Sequence, residues 1–504
     1  MELRGTFLGK QFIGYEPEIE CTENDFKEFV SKFNRLNMLK KICSLASELF
    51  NRPEVVFKFG DVPVSGDILC DFAYRVIKYC DEGNQLKMSD SQIEFALKMC
   101  HKLYNKIFEN IRNEEEILTK ACYRQFPFQH KQTLFNNLTR NLYLYTDLWN
   151  RVSESQSINI RHEIEDEMGL PYDYALYFTY MLMGKDSYFW ILEEDEVKKI
   201  NQITGLSFTV EFHHNFTKWC SGTYENILSH DNLLPAFVRY PIIATNAKPL
   251  PGKGEVFVVV SQHLLHDKLT SGLYFHLIDR FNEGNKRNKF KEIFGHVFQE
   301  YIGELLKYYF KTWKVIPEIK YKKEGRKIQD SVDWFIKKDN KLIMIEVKQS
   351  SIFLKAKQEP SVQEIISDLK KTIIRAVEQL NTTEEDIKTN KYPELCEFDN
   401  INSFVKIIVV HDPLYNANYL VKKIMSKEVA DLKFQIININ EFEILVSNQK
   451  QSESLFDILK RKADEDNEMD FNEYILKIFP TATSNIEFLK PIWERFIAPF
   501  PRNK

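Results

Sequence analysis

Residues 331–351, SVDWFIKKDNKLIMIEVKQSS, hold an aspartate, a glutamate and a lysine in an arrangement that can do metal-assisted chemistry. Asp339 and Asn340 both tolerate positive φ, which a two-residue hairpin turn demands. With those two at the tip, Lys338 faces Lys341, and Asp333 falls opposite Glu346 in a non-hydrogen-bonded pair, with Cα atoms ~4.5 Å apart. Two carboxylates so close repel one another. A shared proton relieves the repulsion, and a divalent cation relieves it better, because hard oxygen ligands suit Mg²⁺ or Mn²⁺. Lys348 lies two residues beyond Glu346 and leaves the same strand face. An ammonium there can hold a water or steady charge on a phosphate. Ile343, Ile345 and Val347 point to the other face and read as core.

The tripeptide EVK occurs twice, and the other copy, Glu196-Val197-Lys198, makes a useful contrast. It sits in LEEDEVKKI, with no apolar strand to carry it and no aspartate preceding it on a hairpin. It reads as a solvated turn of helix.

Several elements must position the hairpin. FGHVFQEYIGELLKYYF is an amphipathic helix by its apolar spacing, and KVIPEIKY is strand-like. The two hairpin strands follow, then the helix SVQEIISDLKKTIIRAVEQL, the strand SFVKIIVVHDP and a further strand, FQIINI. The order α-β-β-β-α-β with a trailing strand is a layered α/β arrangement. Upstream, residues 24–168 read as helical. NDFKEFVSKFNRLNMLKKICSLASELF keeps its apolar residues near one stripe, with Asp25 as N-cap. From about 170 to 283 the pattern is mixed, with GLSFTVEFHH and GEVFVVVSQ as strands and LTSGLYFHLIDRF as helix. The polar stretch NEGNKRNKFKE, 282–292, marks the main boundary. The fold class is thus α+β or α/β and multidomain: helical 1–168, mixed 169–283, the strand-bearing core 284–448, and a helical C-terminal extension, 449–504.

The chain has 504 residues, 43% of them hydrophobic, and a net charge of −5. That excludes wholesale disorder and argues against a uniformly basic coat. Charge is uneven, however: Gly284–Leu380 carries 21 Lys and Arg against 13 Asp and Glu, enough to meet a polyanion locally. The eight cysteines contain no CxxC pair and fall mostly at apolar positions, as buried thiols in a reducing compartment do. The opening residues lack an apolar signal core, and no apolar run approaches the ~20 residues of a membrane helix. A cytoplasmic protein with no membrane partner is expected. No phosphate-binding glycine loop is present, so ATP dependence would require a partner.

The Asp333, Glu346 and Lys348 set, on its hairpin and between those elements, resembles the PD-(D/E)xK nuclease superfamily, which has the restriction-endonuclease-like fold. The resemblance covers roughly residues 290–445. It implies that Asp333 and Glu346 bind Mg²⁺ (or Mn²⁺) and that Lys348 assists the attacking water. The family's leading helix often reads G-x-x-F-E. Here Gly295 and Phe298 match, but Gln299 takes the acid's place and Glu300 follows, so Glu300 is the candidate helix acid. The helix after the core strand often ends in a glutamine, matched by Gln379, which with Arg375 would reach the phosphate or the lysine. Lys286, Arg287, Lys289, Lys322, Lys323, Arg326, Lys327, Lys355 and Lys357 would bind backbone phosphates without reading sequence. The implied activity is Mg²⁺-dependent hydrolysis of DNA, of the kind used in restriction, antiviral defence or repair, with the first 283 residues choosing the substrate or a partner protein. A homodimer would suit double-strand cutting. An RNA-cleaving toxin, or a non-catalytic nucleic-acid-binding protein that keeps the fold, are the alternatives. His213, His214, His263, His266 and His411 complete no recognisable metal set and read as structural.

Overall fold

The computed structural model describes residues 2–7, 10–52, 56–106, 134–152, 157–183, 188–230, 233–245, 255–282, 284, 288–323, 328–349, 362–411, 418, 433–448, 454–465, 469, 471–479 and 486–500. The chain is mixed α/β, with a mainly helical N-terminal part and several small sheets beside one larger one.

The larger sheet follows a long helix, α1 (Lys289–Tyr309), and contains β1 (Lys314–Pro317), β2 (Trp334–Lys338), β3 (Lys341–Lys348), β4 (Ser403–Val410) and β5 (Gln435–Asn438). Its order is β5-β4-β3-β2-β1. The two pairs on the β1 side are antiparallel and the two on the β5 side parallel. The helix α2 (Val362–Thr389) makes the crossover from β3 to β4, as a parallel pair requires. The expected succession of helix, three strands, helix and strand is therefore present, with a small side hairpin, Lys320–Lys322 with Ile328–Asp330, inserted before β2.

Both faces of the sheet are covered. Trp334, Ile336, Ile343, Ile345 and Val347 pack into a core that also takes in α1, much of residues 138–277 and the C-terminal helices. Phe335, Leu342 and Met344 pack on the other side against Ile373, Ala376, Val377 and Leu380 of α2. Near-continuous hydrophobicity in β3 follows from this double burial. Helix α1 comes close to the sheet because residue 303 is glycine: a Cβ there would lie 2.0 Å from Cζ2 of Trp334. The Trp334 indole N–H donates to the Gln299 carbonyl at 2.9 Å, fixing the crossing.

The expected boundaries do not coincide with breaks in this core. Residues on both sides of 168, 283 and 448 share it. At its centre Arg140 pairs with Glu443 at 2.7 Å, both almost wholly buried, and Tyr301 donates to the second Glu443 oxygen. Three helices are joined there, one from the supposed 1–168 region and two from the supposed 284–448 region. A second core instead combines Cys21–Tyr104 with residues 224–264.

Four local expectations are corrected. The stripe over 24–50 is two helices, Glu23–Val30 and Arg35–Asn51, because Asn34 caps the second and its amide donates to the carbonyls of Glu82 and Asn84. Asp25 is not the N-cap; Thr22 is, with Asp25 closing the capping box. The expected strand over 205–214 is absent: 205–209 are irregular and 210–214 open the helix Val210–Cys220, started by the Thr209 hydroxyl accepting from the Phe212 N–H. The N-terminal part also contains two hairpins, Glu2–Tyr15 and Phe57–Val64, whose short strands carry too little periodic signal to read.

The Gly303–Trp334 approach yields a stability test. Gly303→Ala should destabilise the protein by about 1–3 kcal/mol, since the added carbon overlaps a ring locked by its own hydrogen bond. A lowered urea midpoint checks this; an unchanged midpoint would mean that α1 can move off the sheet without cost.

Candidate active site

The hairpin register is the one the turn residues require: Lys338 pairs with Lys341 and Trp334 with Ile345. Continuing it by one residue sets Asp333 opposite Glu346. At the turn only Asp339 takes a positive φ, +53°, while Asn340 does not, so one left-handed residue suffices where two were expected. Glu346 and Lys348 share the face of Leu342 and Met344 by the strand's two-residue period. Along that face the wall runs from apolar and buried to charged: Met344 is inaccessible, Glu346 is 1% exposed, and Lys348 reaches the surface.

The charged groups hold one another. Asp333 Oδ2 accepts the Val347 N–H at 2.6 Å, so this carboxylate is anchored to the strand that bears Glu346. Lys348 Nζ donates to Glu346 Oε1. Glu346 Oε2 is buried and has no hydrogen-bond partner among the described residues. A buried acceptor left in that state costs free energy unless a cation or proton meets it. Burial, then the Asp333 charge, push the Glu346 carboxyl up to about 8, against the downward pull of Lys348. Asp333 is raised too, by burial, with Lys348, the Val347 N–H and His296 acting to lower it. Two hard oxygen donors with raised pKa values, one of them orphaned, fit a divalent cation. Asp333 and Glu346 are the residues that would hold it. Among the described residues, no group of three or more His, Cys, Asp or Glu converges on a metal position.

Two residues near the site escaped the sequence. Glu318 follows β1, and continuing the Trp334–Pro317 register by one residue sets it opposite Asp333 on the other side. Its carboxyl is raised by burial and by the charges of Asp330 and Asp333, opposed by Lys320 and Lys348. Glu318, Asp333 and Glu346 thus form a row across three strands. The acid in KVIPEIKY was visible, but its register was not, because residues 319–332 separate it from β2. His296, on α1, was read only as part of a helix, yet its charge acts on Asp333.

The remaining expected site residues fall elsewhere. Glu300 faces Lys307 at 3.6 Å on its own helix and makes no hydrogen bond to Asp333, Glu346 or Lys348. Its place one residue after the family's acid turns it along the helix surface. Gln379 does not bond Lys348; its amide donates to the Ser331 carbonyl at 2.7 Å, bracing the segment that enters Asp333. Arg375 is exposed on the same helix. Lys323 is engaged by Asp386 at 2.7 Å, whereas Lys322 and Lys289 are exposed. Lys286, Arg287, Arg326, Lys327, Lys355 and Lys357 lie outside the described residues.

The other expectations hold their places. Glu193 caps a helix that starts at Glu194, with Glu196 closing the capping box, Val197 buried and Lys198 near Asp195. His213 accepts from the Leu192 N–H, His266 bonds the Leu134 carbonyl, and His411 packs among Tyr274, Phe294 and Phe298. Of the described cysteines all but Cys396 are buried, and none is in a disulfide.

No family model, curated protein or solved structure matches the chain. Among the described residues no helix is long and apolar enough to cross a membrane.

The raised Glu346 pKa sets a pH dependence for the metal-free protein. Its proton is held in the folded state to about 8 but lost near 4.5 when unfolded. Stability is therefore full at acid pH and falls as pH rises through this window. In EDTA, Glu346→Gln should lose less Tm between pH 5 and 8 than the parent does. Added Mg²⁺ should raise the parent's Tm more at pH 8 than at pH 6, because the ion competes with the proton. Parallel Tm profiles for the two proteins would contradict this assignment.

Proposed function

We propose that this chain is a Mg²⁺- or Mn²⁺-dependent endonuclease that hydrolyses phosphodiester bonds in DNA, built on a restriction-endonuclease-like core around the five-stranded sheet. The observation that carries the reading is the buried Glu346 carboxylate, with one oxygen on Lys348 and the other unpartnered, beside Asp333 in register. The element order of the core, and the mixed parallel and antiparallel sheet, support it.

Each residue has a distinct task in this reading. Asp333, held by the Val347 N–H, and Glu346, held by Lys348, present their free oxygens to the cation. When bound, the cation lowers the pKa of a water and offsets charge gathering on the phosphate. Lys348 donates to Glu346, and its remaining N–H donors orient a water and meet a phosphate oxygen. Gln379 keeps the Ser331 carbonyl fixed and so holds Asp333 in register. The exposed Lys289 and Lys322 meet backbone phosphates, which gives affinity without sequence preference. A cytoplasmic site of action, a homodimer and a role in antiviral defence accord with such an enzyme, and the chain's N-terminal half would select its target.

Purified protein should nick or cut plasmid DNA with Mg²⁺ and cease to do so in EDTA. Asp333→Ala and Lys348→Ala should each lower the rate at least about a hundredfold, measured by gel assay on proteins with unchanged circular dichroism. Gln379→Ala should lower it less and also lower Tm. Cleavage that survives both of the first two substitutions rejects the site. DNA binding without cleavage of any form would assign the fold to a binding role, and preference for matched RNA would change the substrate.

A further inference from the structure

On another part of the molecule lies a cavity of about 390 Å³, within the range of small-molecule pockets. The helix Ser271–Arg280 forms one wall with Phe275 and His276. The same helix directs Tyr274 the other way, into the core against α1, where its hydroxyl donates to Gln349 beside Lys348. The opposite walls carry Val238, Arg239 and Lys268.

Two cations there, Lys268 and Arg239, have no paired acid among the described residues. Lys268 is 4% exposed, and its ammonium bonds only the carbonyls of Trp219 and Arg239, each at 2.6 Å, with the Trp219 ring 4.3 Å away. Among the described residues no carboxylate lies within ion-pair distance of it. The Arg239 guanidinium likewise has neither a hydrogen bond nor an ion pair there, only the neighbouring Tyr240 ring at 5.7 Å. His276 reports the field at the wall: burial, then the positive charges of Lys268 and Arg239, push its imidazole down to about 4, and no acid opposes them. Three carboxylates also border the cavity, Glu167, Asp267 and Asp279. Glu167 is taken by Arg280, which gathers Glu163 and Asp166 as well.

We infer that this cavity binds a small phosphorylated organic molecule of mononucleotide size, its phosphate between Arg239 and Lys268 and its apolar or aromatic body against Phe275 and Val238. Arg supplies a planar fork of donors suited to phosphate, and Lys268 an ammonium held by two carbonyls, whose burial pushes its pKa down to about 8 and whose full charge a bound phosphate would restore. The site is separate from the Asp333–Glu346 pair and does not depend on the nuclease reading.

The test is titration of the full chain in EDTA, which keeps the carboxylate pair free of metal, with AMP, inorganic phosphate and adenosine as probes. Calorimetry and Trp219 fluorescence, sensitive to its Lys268 and His276 neighbours, are the readouts. AMP should bind saturably and more tightly than inorganic phosphate, and adenosine should bind at least about tenfold more weakly than AMP, the loss of one charge-assisted contact. Arg239→Gln, which removes an exposed side chain without hydrogen bonds, should weaken AMP about tenfold and leave Tm unchanged. Lys268→Met should abolish binding; as it also frees two carbonyls, Arg239→Gln decides the case if that variant fails to fold. No saturable AMP binding, AMP binding unaffected by Arg239→Gln, or adenosine or inorganic phosphate binding as well as AMP would each overturn the assignment.

Discussion

Two carboxylates and one ammonium, held at the end of a buried sheet face, are the constraint from which the rest of the site follows. Glu346 lies where the apolar wall of Leu342 and Met344 gives out, so its charge is poorly hydrated. Asp333 adds a second negative charge across the hairpin, and Lys348 supplies only one positive charge in return. The set stays one cation short of balance: burial first, then the Asp333 charge, raise the Glu346 pKa, and one oxygen is left unpartnered. A buried pair with one partner missing is normally a liability. Here the surroundings hold it in place: the Val347 N–H fixes Asp333, and Gln379 fixes the segment leading into it. Local instability tolerated at such a point is a common mark of a functional site.

Rigid support comes from both sides of the sheet. The missing Cβ at Gly303 lets α1 settle onto Trp334, and α2 covers the opposite face. The Arg140–Glu443–Tyr301 contact then ties α1 to a helix from the N-terminal half and to one following β5. Replacing Arg140 or Glu443 would strand the other's buried charge, and Tyr301 satisfies the second Glu443 oxygen, so the three helices pack as a unit. That packs much of residues 138–277 into the same core as the sheet, while Cys21–Tyr104 belong to the second core.

The hairpin was legible because its information is local. Turn chemistry at Asp339-Asn340 and a two-residue period fix a register over sixteen residues, and every pair in β2 and β3 obeys it. The contrast at Glu196 was legible for the same reason, since a run of acids before a single buried valine has helix spacing and no strand. The strand expected at 205–214 failed because Phe208, Val210 and Phe212 alternate like a strand, while the cap at Thr209 decides for helix. Glu300 failed because a match to a pattern one residue out of step lands on a different side of a helix, about 100° away.

The sequence by itself determined the hairpin, its register, and therefore which acids and which lysine share a face, because turn geometry and strand alternation act between near neighbours. Tertiary structure alone decided how deeply Glu346 is buried, that Glu318 extends the row and His296 looks onto it, and that much of residues 138–277 shares a core with the sheet. Those facts depend on which distant segments pack together, and packing between distant segments leaves no period in the sequence from which to read it.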